Sequence, residues 1–292
     1  MPELPEVETV RLGLHRAVRG RTIRSAQVHS AGLRWRFQSD LVDRLEGRRI
    51  TSCDRRGKYL LLQLSGGQTW ITHLGMTGGF SINGRVARDH RIHEVEATVR
   101  DQHEHVTIHL SGGHLLSYHD ARRFGSMEVV DQGPLSVHPV LSRLGPEPID
   151  ADFDAGTLAA CLAGRRCSIK SAIMNQQIIA GIGNIYACES LHRAKISPRR
   201  LACTLVRQNG SPTDRCVRLA QAMAWILHRA IDIGGSTLRD FSSLDGEAGG
   251  FSTNFRAYDR EGLRCRRHQC SGVIRRYEQS GRSTFACTEC QR

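Results

Sequence analysis

Apolar positions Val7, Val10 and Leu14 recur at helical spacing directly behind a Pro-Glu-Leu-Pro-Glu start. Pro5 suits the first turn of a helix, and Glu6 and Glu8 suit its positive end, so a helix is predicted next to the N-terminus. The pattern then changes period. Residues 56–64, 69–74, 106–110 and 114–119 are β-rich runs separated by Gly, Ser or Asn turns. A series of this kind predicts a sandwich or barrel. Residues 82–102 are polar and aperiodic and are expected to form a surface excursion. From Asp152 the helical period returns, with helices expected over 153–163, 168–177, 185–194 and 216–233. Pro134, Pro139, Pro146 and Pro148 fall between the two regimes and mark a linker, and the glycine-rich, polar stretch 234–250 is expected to be a loop. The expected organisation is a β domain over 1–133, a linker over 134–151, a helical domain over 152–255 carrying a loop at 234–251, and a compact basic tail over 256–292.

Charge narrows the class of partner. Lys plus Arg total 41 against 29 acidic residues, a net charge of +12, which suits a polyanion: nucleic acid first, an anionic membrane second. No apolar run approaches the length of a membrane span and no hydrophobic signal region leads the chain, so a cytoplasmic protein is expected. Lys58, Lys170 and Lys195 are its only lysines in an arginine background, and lysine, unlike arginine, can give up its proton.

Three constellations carry chemistry. Four of the ten cysteines cluster as Cys265-x4-Cys270 and Cys287-x2-Cys290 around a segment of β-hairpin length. Two close pairs of thiolates suit one tetrahedral structural Zn²⁺, with His268 as an alternative ligand to one cysteine. In Asn175–Tyr186 one helix ends, a Gly181-Ile182-Gly183 turn follows, and Asn184 is placed to cap the next helix, with Lys170 upstream. Such a turn admits a phosphate to backbone N–H groups, although by itself it is an ordinary helical hairpin. Finally, His73-Leu74-Gly75-Met76 and Asp120-Ala121-Arg122-Arg123-Phe124-Gly125 place a methionine, arginines and a phenylalanine at strand ends. There apolar tips can wedge between base steps and arginine can read a base edge.

Together with the Pro-Glu-Leu-Pro-Glu-Val-Glu-Thr-Val terminus and Gly57-Lys58-Tyr59-Leu60, these motifs in this order resemble the formamidopyrimidine-DNA glycosylase branch of the Fpg/Nei family of base-excision repair enzymes. The resemblance spans essentially the whole chain. It implies an α+β multidomain fold: an N-terminal β-sandwich flanked by helices, a helical domain with a helix–two-turns–helix motif, and a C-terminal β-hairpin zinc finger. It implies Pro2 as nucleophile, Glu3 as carboxylate acid/base and Lys58 as a cation near sugar and phosphate. Met76, Arg122 and Phe124 would occupy the site of the extruded base, Arg123 would also contact DNA, and Lys170, Asn184 and Arg282 would grip phosphates. Glu6, Ser236 and Thr237 would bind the lesion, under a loop over 234–251. One structural zinc on Cys265, Cys270, Cys287 and Cys290, a partner of oxidised or abasic duplex DNA, and a monomeric state complete the implication. Two features depart from the family pattern: Ala121 replaces a usual proline, and four residues instead of two separate the first cysteine pair.

A secondary amine at the terminus fits this chemistry. An α-amino group titrates at about 7.7–8, and the positive end of a helix disfavours its charged form. The expected activity is a bifunctional DNA glycosylase and AP lyase acting on oxidised purines through a Pro2 iminium. The competing readings are an endonuclease VIII-like enzyme for oxidised pyrimidines, disfavoured by Leu4, and a catalytically silent zinc-finger protein that binds damaged DNA, disfavoured by the presence of Pro2, Glu3 and Lys58.

Overall fold

Helix α1, Leu4–Val18, buries Leu4, Val7, Val10, Leu14 and Val18 on one face. Glu3 is its N-cap, and a reciprocal capping box forms: the Glu3 carboxylate accepts from the Glu6 N–H while the Glu6 carboxylate accepts from the Glu3 N–H at 2.9 Å. The computed structural model describes residues 1–83, 85–88, 91–94, 102–131, 133–134, 137–236 and 250–292. These fall into two compact units, Met1–His138 with Ile233–Gly250, and Pro139–Asp232 with Phe251–Arg292.

The first unit is built on two antiparallel sheets. Strands β1 (Ile23–Val28), β5 (Gly79–Ile82), β6 (Arg85–Arg88), β7 (Arg91–Glu94), β8 (Glu104–Leu110) and β9 (His114–His119) form one, in the order β1-β8-β9-β5-β6-β7. Strands β2 (Ile50–Arg56), β3 (Tyr59–Leu64), β4 (Thr69–His73) and β10 (Ser126–Val130) form the other, in the order β10-β4-β3-β2. A single apolar core joins α1, the short helix α2 (Leu41–Leu45) and the inward residues of both sheets, among them Ile23, Leu62, Val106 and Val129. Trp70 of one sheet meets Phe80 of the other edge-to-face at 6.0 Å. The expected sandwich is therefore present, and two local expectations are corrected. Gly57 and Lys58 do not continue a strand: Arg56 pairs with Tyr59, and Gly57, at φ +58°, makes a two-residue turn. Within 82–102 the backbone forms a β6–β7 hairpin that extends the sheet, because strand pairing needs no hydrophobic alternation at an edge.

The second unit is helical. It contains α3 (Ala155–Leu162), α4 (Ile169–Met174), α5 (Asn184–Ala194) and α6 (Asp214–Asp232), with the hairpin β11 (Ile274–Gln279) and β12 (Arg282–Cys287). The proline-rich stretch belongs to both units in part: a 3-10 turn, Leu141–Arg143, leads to Gly145, whose N–H bonds the Gln176 carbonyl at 2.9 Å. Residues 233–236 cluster with the first unit because Ser236 is held by Glu6. Among the described residues no helix is long and apolar enough to cross a membrane.

Candidate active site and nucleic-acid interface

In the first unit, Pro2, Glu3, Glu6 and Lys58 are all buried, whereas Met1 is 43% exposed. Burial of two carboxylates at the start of α1 is made tolerable by the capping box and by the helix's positive end. Glu6 also receives the N–H and the hydroxyl of Ser236, each at 2.7 Å on Oε1. The backbone approaches so closely there that a Cβ on Gly235, at φ +81°, would lie 3.2 Å from the Glu6 side chain. The structure thus brings Glu3, Glu6 and Ser236 into one hydrogen-bonded group; Thr237 lies outside the described residues.

Lys58 sits on the β2–β3 turn, which Glu8 ties to α1. The Arg55 Nε donates to Glu8 Oε2 at 2.9 Å, and an Arg55 amino group donates to the Gly57 carbonyl at 2.9 Å. Glu8 is bonded from its other side by Arg11 at 2.7 Å. Burial opposes ionisation of Glu8, yet the Arg11 bond and the Arg55 and Arg11 charges outweigh it and hold the carboxyl below its usual value. Lys58 in turn acts on His73: burial first, then the charges of Lys58 and Arg34, push that imidazole down to about 4. His73 is therefore neutral at physiological pH. Its Nδ1 accepts the Gly75 N–H at 3.0 Å, which leaves the proton on Nε2.

The Met76 and Arg122–Phe124 loops are welded together. Gly75 adopts φ +64°, and a Cβ there would fall 2.4 Å from Gly125 N and from the Phe124 carbonyl carbon. Fully buried Asp120 organises the rest. Its Oδ2 accepts the Gly125 N–H at 2.7 Å, and its Oδ1 accepts the Thr77 hydroxyl at 2.5 Å, which itself accepts the Arg122 N–H at 3.1 Å. These bonds fix the loop without a proline at Ala121. Met76 is half-buried, Arg122 and Arg123 are exposed, and Phe124 is 46% exposed, with the Arg122 guanidinium 4.7 Å from its ring centroid. An exposed Trp35 stands on a neighbouring loop that Arg34 anchors by donating to the Gly125 carbonyl at 3.0 Å. Gly75→Ala is expected to cost about 1–3 kcal/mol and to weaken binding of a kinked duplex, because the new methyl meets backbone. Urea unfolding checks this against Gly79→Ala, where a Cβ meets nothing within 4 Å; equal stabilities would contradict the close approach.

In the second unit, Asn184 does not cap α5. Gly183 holds the cap position and Asn184 is the first helical residue, its Nδ2 donating to the Ser283 carbonyl at 2.9 Å. Lys170, 1% exposed, donates to the same carbonyl at 3.2 Å and to the Thr284 hydroxyl at 2.7 Å. Both residues thus grip the hairpin whose turn, Ser280 at φ +51° and Gly281 at φ +70°, presents exposed Arg282. The turn before α5 is pinned by Gln176, which donates to the Met174 and Ile182 carbonyls and accepts the Gly181 N–H at 2.9 Å.

The sulfurs of Cys265, Cys270, Cys287 and Cys290 all lie within 4.8 Å of one another. The Cys265–Cys290 and Cys270–Cys287 separations are 3.8 and 3.6 Å. Four Zn–S bonds of about 2.3 Å place tetrahedral sulfurs roughly 3.8 Å apart, so the thiolates fit one structural zinc with no open position. Exposed His268 is not in the cluster. The two extra residues of the first pair are absorbed by a turn in which Gln269 takes φ +57° and the Cys270 N–H bonds the Arg267 carbonyl.

Sequence patterns alone assign no role to Asp120 or Gly75, give Glu8 only a place at the start of a helix, and pass over Arg55, Gln176 and Glu189. Glu189, buried on α5, accepts the N–H groups of Arg256, Ala257 and Tyr258 and so anchors the segment leading into the hairpin.

The description "Formamidopyrimidine-DNA glycosylase N-terminal domain" matches residues 1–127, and "Formamidopyrimidine-DNA glycosylase H2TH domain" matches 144–242. Formamidopyrimidine-DNA glycosylases of Bradyrhizobium sp. (strain ORS 278) and Rhodopseudomonas palustris (strain HaA2) are 45% and 47% identical to the chain, covering 100% of both proteins in each case. The crystal structure of MutM (Fpg) from Thermus thermophilus is 37% identical with a TM-score of 0.82, covering 99% of this chain and 98% of that one. Lactococcus lactis Fpg in complex with DNA containing N7-benzyl-Fapy-dG is 30% identical with a TM-score of 0.85 over 100% of both. With family models matching most of its length and relatives of this identity along all of it, the chain belongs to the formamidopyrimidine-DNA glycosylase family.

Proposed function

We propose that this protein is a bifunctional DNA glycosylase and AP lyase that removes oxidised purines from duplex DNA. The observation that carries the reading is the Pro2–Glu3 terminus, held at the capped start of α1 and bonded through Glu6 to Ser236. Loss of the exposed Met1 frees the Pro2 nitrogen as a secondary amine. The target nucleotide is flipped from the stack, and Met76, Arg122 and Phe124 fill the space it leaves. Pro2 N attacks C1′, the C1′–base bond breaks, and the base leaves with that electron pair and takes up the proton that the Pro2 nitrogen gives up. Glu3 donates a proton to O4′ as the sugar ring opens, giving a C1′ iminium on Pro2. The iminium acidifies C2′–H; loss of that proton expels the 3′-phosphate, and a second elimination expels the 5′-phosphate. Lys58 is the cation beside sugar and phosphate; Asn184 and Arg282 contact phosphates, Arg123 faces the DNA beside Arg122, and buried Lys170 acts through the hairpin that presents Arg282. Binding is expected to fall steeply with salt.

The zinc is structural: Cys265, Cys270, Cys287 and Cys290 hold it, and it braces the hairpin without entering the reaction. The protein works as a monomer in the bacterial cytoplasm, on nucleoid DNA.

Borohydride trapping tests the mechanism. A covalent adduct is expected on a duplex with 8-oxoguanine opposite cytosine, and a weaker one on a thymine-glycol duplex. Binding without any adduct would sink the iminium route, and preferential trapping on thymine glycol would sink the purine assignment.

A further inference from the structure

The C-terminal end of α5 opens onto a cavity of about 120 Å³. A single water needs only about 10–15 Å³, so a tetrahedral oxyanion and part of its hydration fit there. Arg193, Arg229, Arg256 and Arg267 line it against one carboxylate, Glu189, which is already committed to three backbone N–H groups. No hydrogen bond or ion pair engages the guanidinium of Arg193, Arg229 or Arg256 among the described residues. Arg193 lies over the ring of Trp225 at 3.6 Å, which orients its donors, and Trp225 is itself 50% exposed. Arg267 spends one amino group on the His192 and Arg193 carbonyls and also bonds the Cys290 thiol of the metal cluster, while its Nε is a buried donor with no partner. His192, 1% exposed, lines the same cavity and leaves its Nδ1 unpartnered. Orphaned buried polar atoms are rare and costly. Burial, followed by the charges of Arg256 and Arg267, pushes Arg193 below its ordinary value, a repulsion that an anion would relieve.

We infer that this cavity is a phosphate-binding site. Arginine is the side chain best matched to a phosphate, because its planar fork donates two parallel bonds. The site stands apart from the Asn184 end of α5, roughly 13 Å along the helix at about 1.5 Å per residue. Two sources offer the same group: free phosphate, and the phosphates of a nucleic acid reaching beyond the lesion site.

Isothermal titration of the zinc-loaded full chain with inorganic phosphate, at constant ionic strength set by chloride, tests the inference. Saturable binding is expected, with a fluorescence change that Trp225→Phe removes. Arg193→Gln and Arg229→Gln should each weaken binding at least tenfold, while Arg215→Gln, exposed near the other end of α6, leaves it unchanged. Arg229 is exposed on α6, so its variant should fold normally, as an unchanged melting temperature would verify. Absence of saturable heat, or binding unaltered in both glutamine variants, would overturn the site. The source is read in a second arm, with a lesion duplex in short and extended forms. Weaker binding of only the extended duplex by Arg229→Gln identifies nucleic-acid phosphate, whereas phosphate binding with unchanged affinity for both duplexes identifies free phosphate.

Discussion

Pro2→Gly is expected to reduce base excision and borohydride trapping at least a hundredfold, with affinity for an abasic-analogue duplex changed less than threefold. Glycine retains an amine at the terminus but gives up the secondary amine, and with it the ring that fixes the nitrogen at the start of α1. Positioning a nucleophile within the first turn depends on that rigidity, since small displacements at the reacting atoms cost orders of magnitude. The helix itself should survive, because the capping box joins Glu3 to Glu6 and does not involve the Pro2 side chain. Arg282→Ala should show the inverse: weaker binding and a shallower salt dependence, with single-turnover chemistry near normal once the duplex is saturating. Single-turnover rates and equilibrium binding measured on both variants check this division. Equal loss of binding in the two would contradict it. Intact mass supplies the prior condition: a protein that retains Met1 carries an amide at Pro2 and should be inactive.

What can be read in the chain differs with the range of the interaction. The metal site is legible because four thiolates in two close pairs are a local chemical statement, and the turn at Gln269 absorbs an unusual spacing without moving a ligand. The helix at the terminus is legible from Val7, Val10 and Leu14, which lie on its buried face. Lys58 stands out as a residue, yet the sequence places it in a strand, since the apolar run after it gives no sign that Gly57 turns at φ +58°. Asn184 is expected at a cap because its neighbours are glycines. Its actual partner is the Ser283 carbonyl, 99 positions away, and no local pattern encodes that. The same holds for Ser236 on Glu6, separated by 230 positions. Hydrophobic period reports which face is buried; polar contacts between distant segments depend on where the fold brings their ends.

Stripping the zinc should have the largest effect on binding, and the reason lies in how little apolar packing holds the hairpin. A two-stranded hairpin is marginal by itself, and the apolar cluster beneath β11 and β12 contains only Cys188, Ala257, Cys265, Ile274, Phe285 and Cys287, with Tyr258, Cys270 and Cys290 packed against it. Cys265, Cys270, Cys287 and Cys290 are the ligands themselves, so much of this cluster turns into unpaired thiols when the metal leaves. Structural zinc contributes roughly 10–16 kcal/mol of apparent binding energy in small domains, far more than a cluster of this size can replace. As the hairpin loosens, Lys170 and Asn184 lose the Ser283 carbonyl they share. Buried Lys170 then loses both of its acceptors on the hairpin, the Ser283 carbonyl and the Thr284 hydroxyl, which favours local unfolding around α4. Arg282 loses its fixed place at the turn. Chelation, or Cys287→Ser, is therefore expected to lower affinity for lesion DNA at least a hundredfold at about 0.1 M salt and to lower the melting temperature, while the sandwich of the first unit keeps its β-sheet signal. Metal analysis should give one zinc per chain before treatment, and added zinc should restore binding after chelation but not in the serine variant. Affinity retained within threefold after verified loss of the metal would show that the hairpin stands without it.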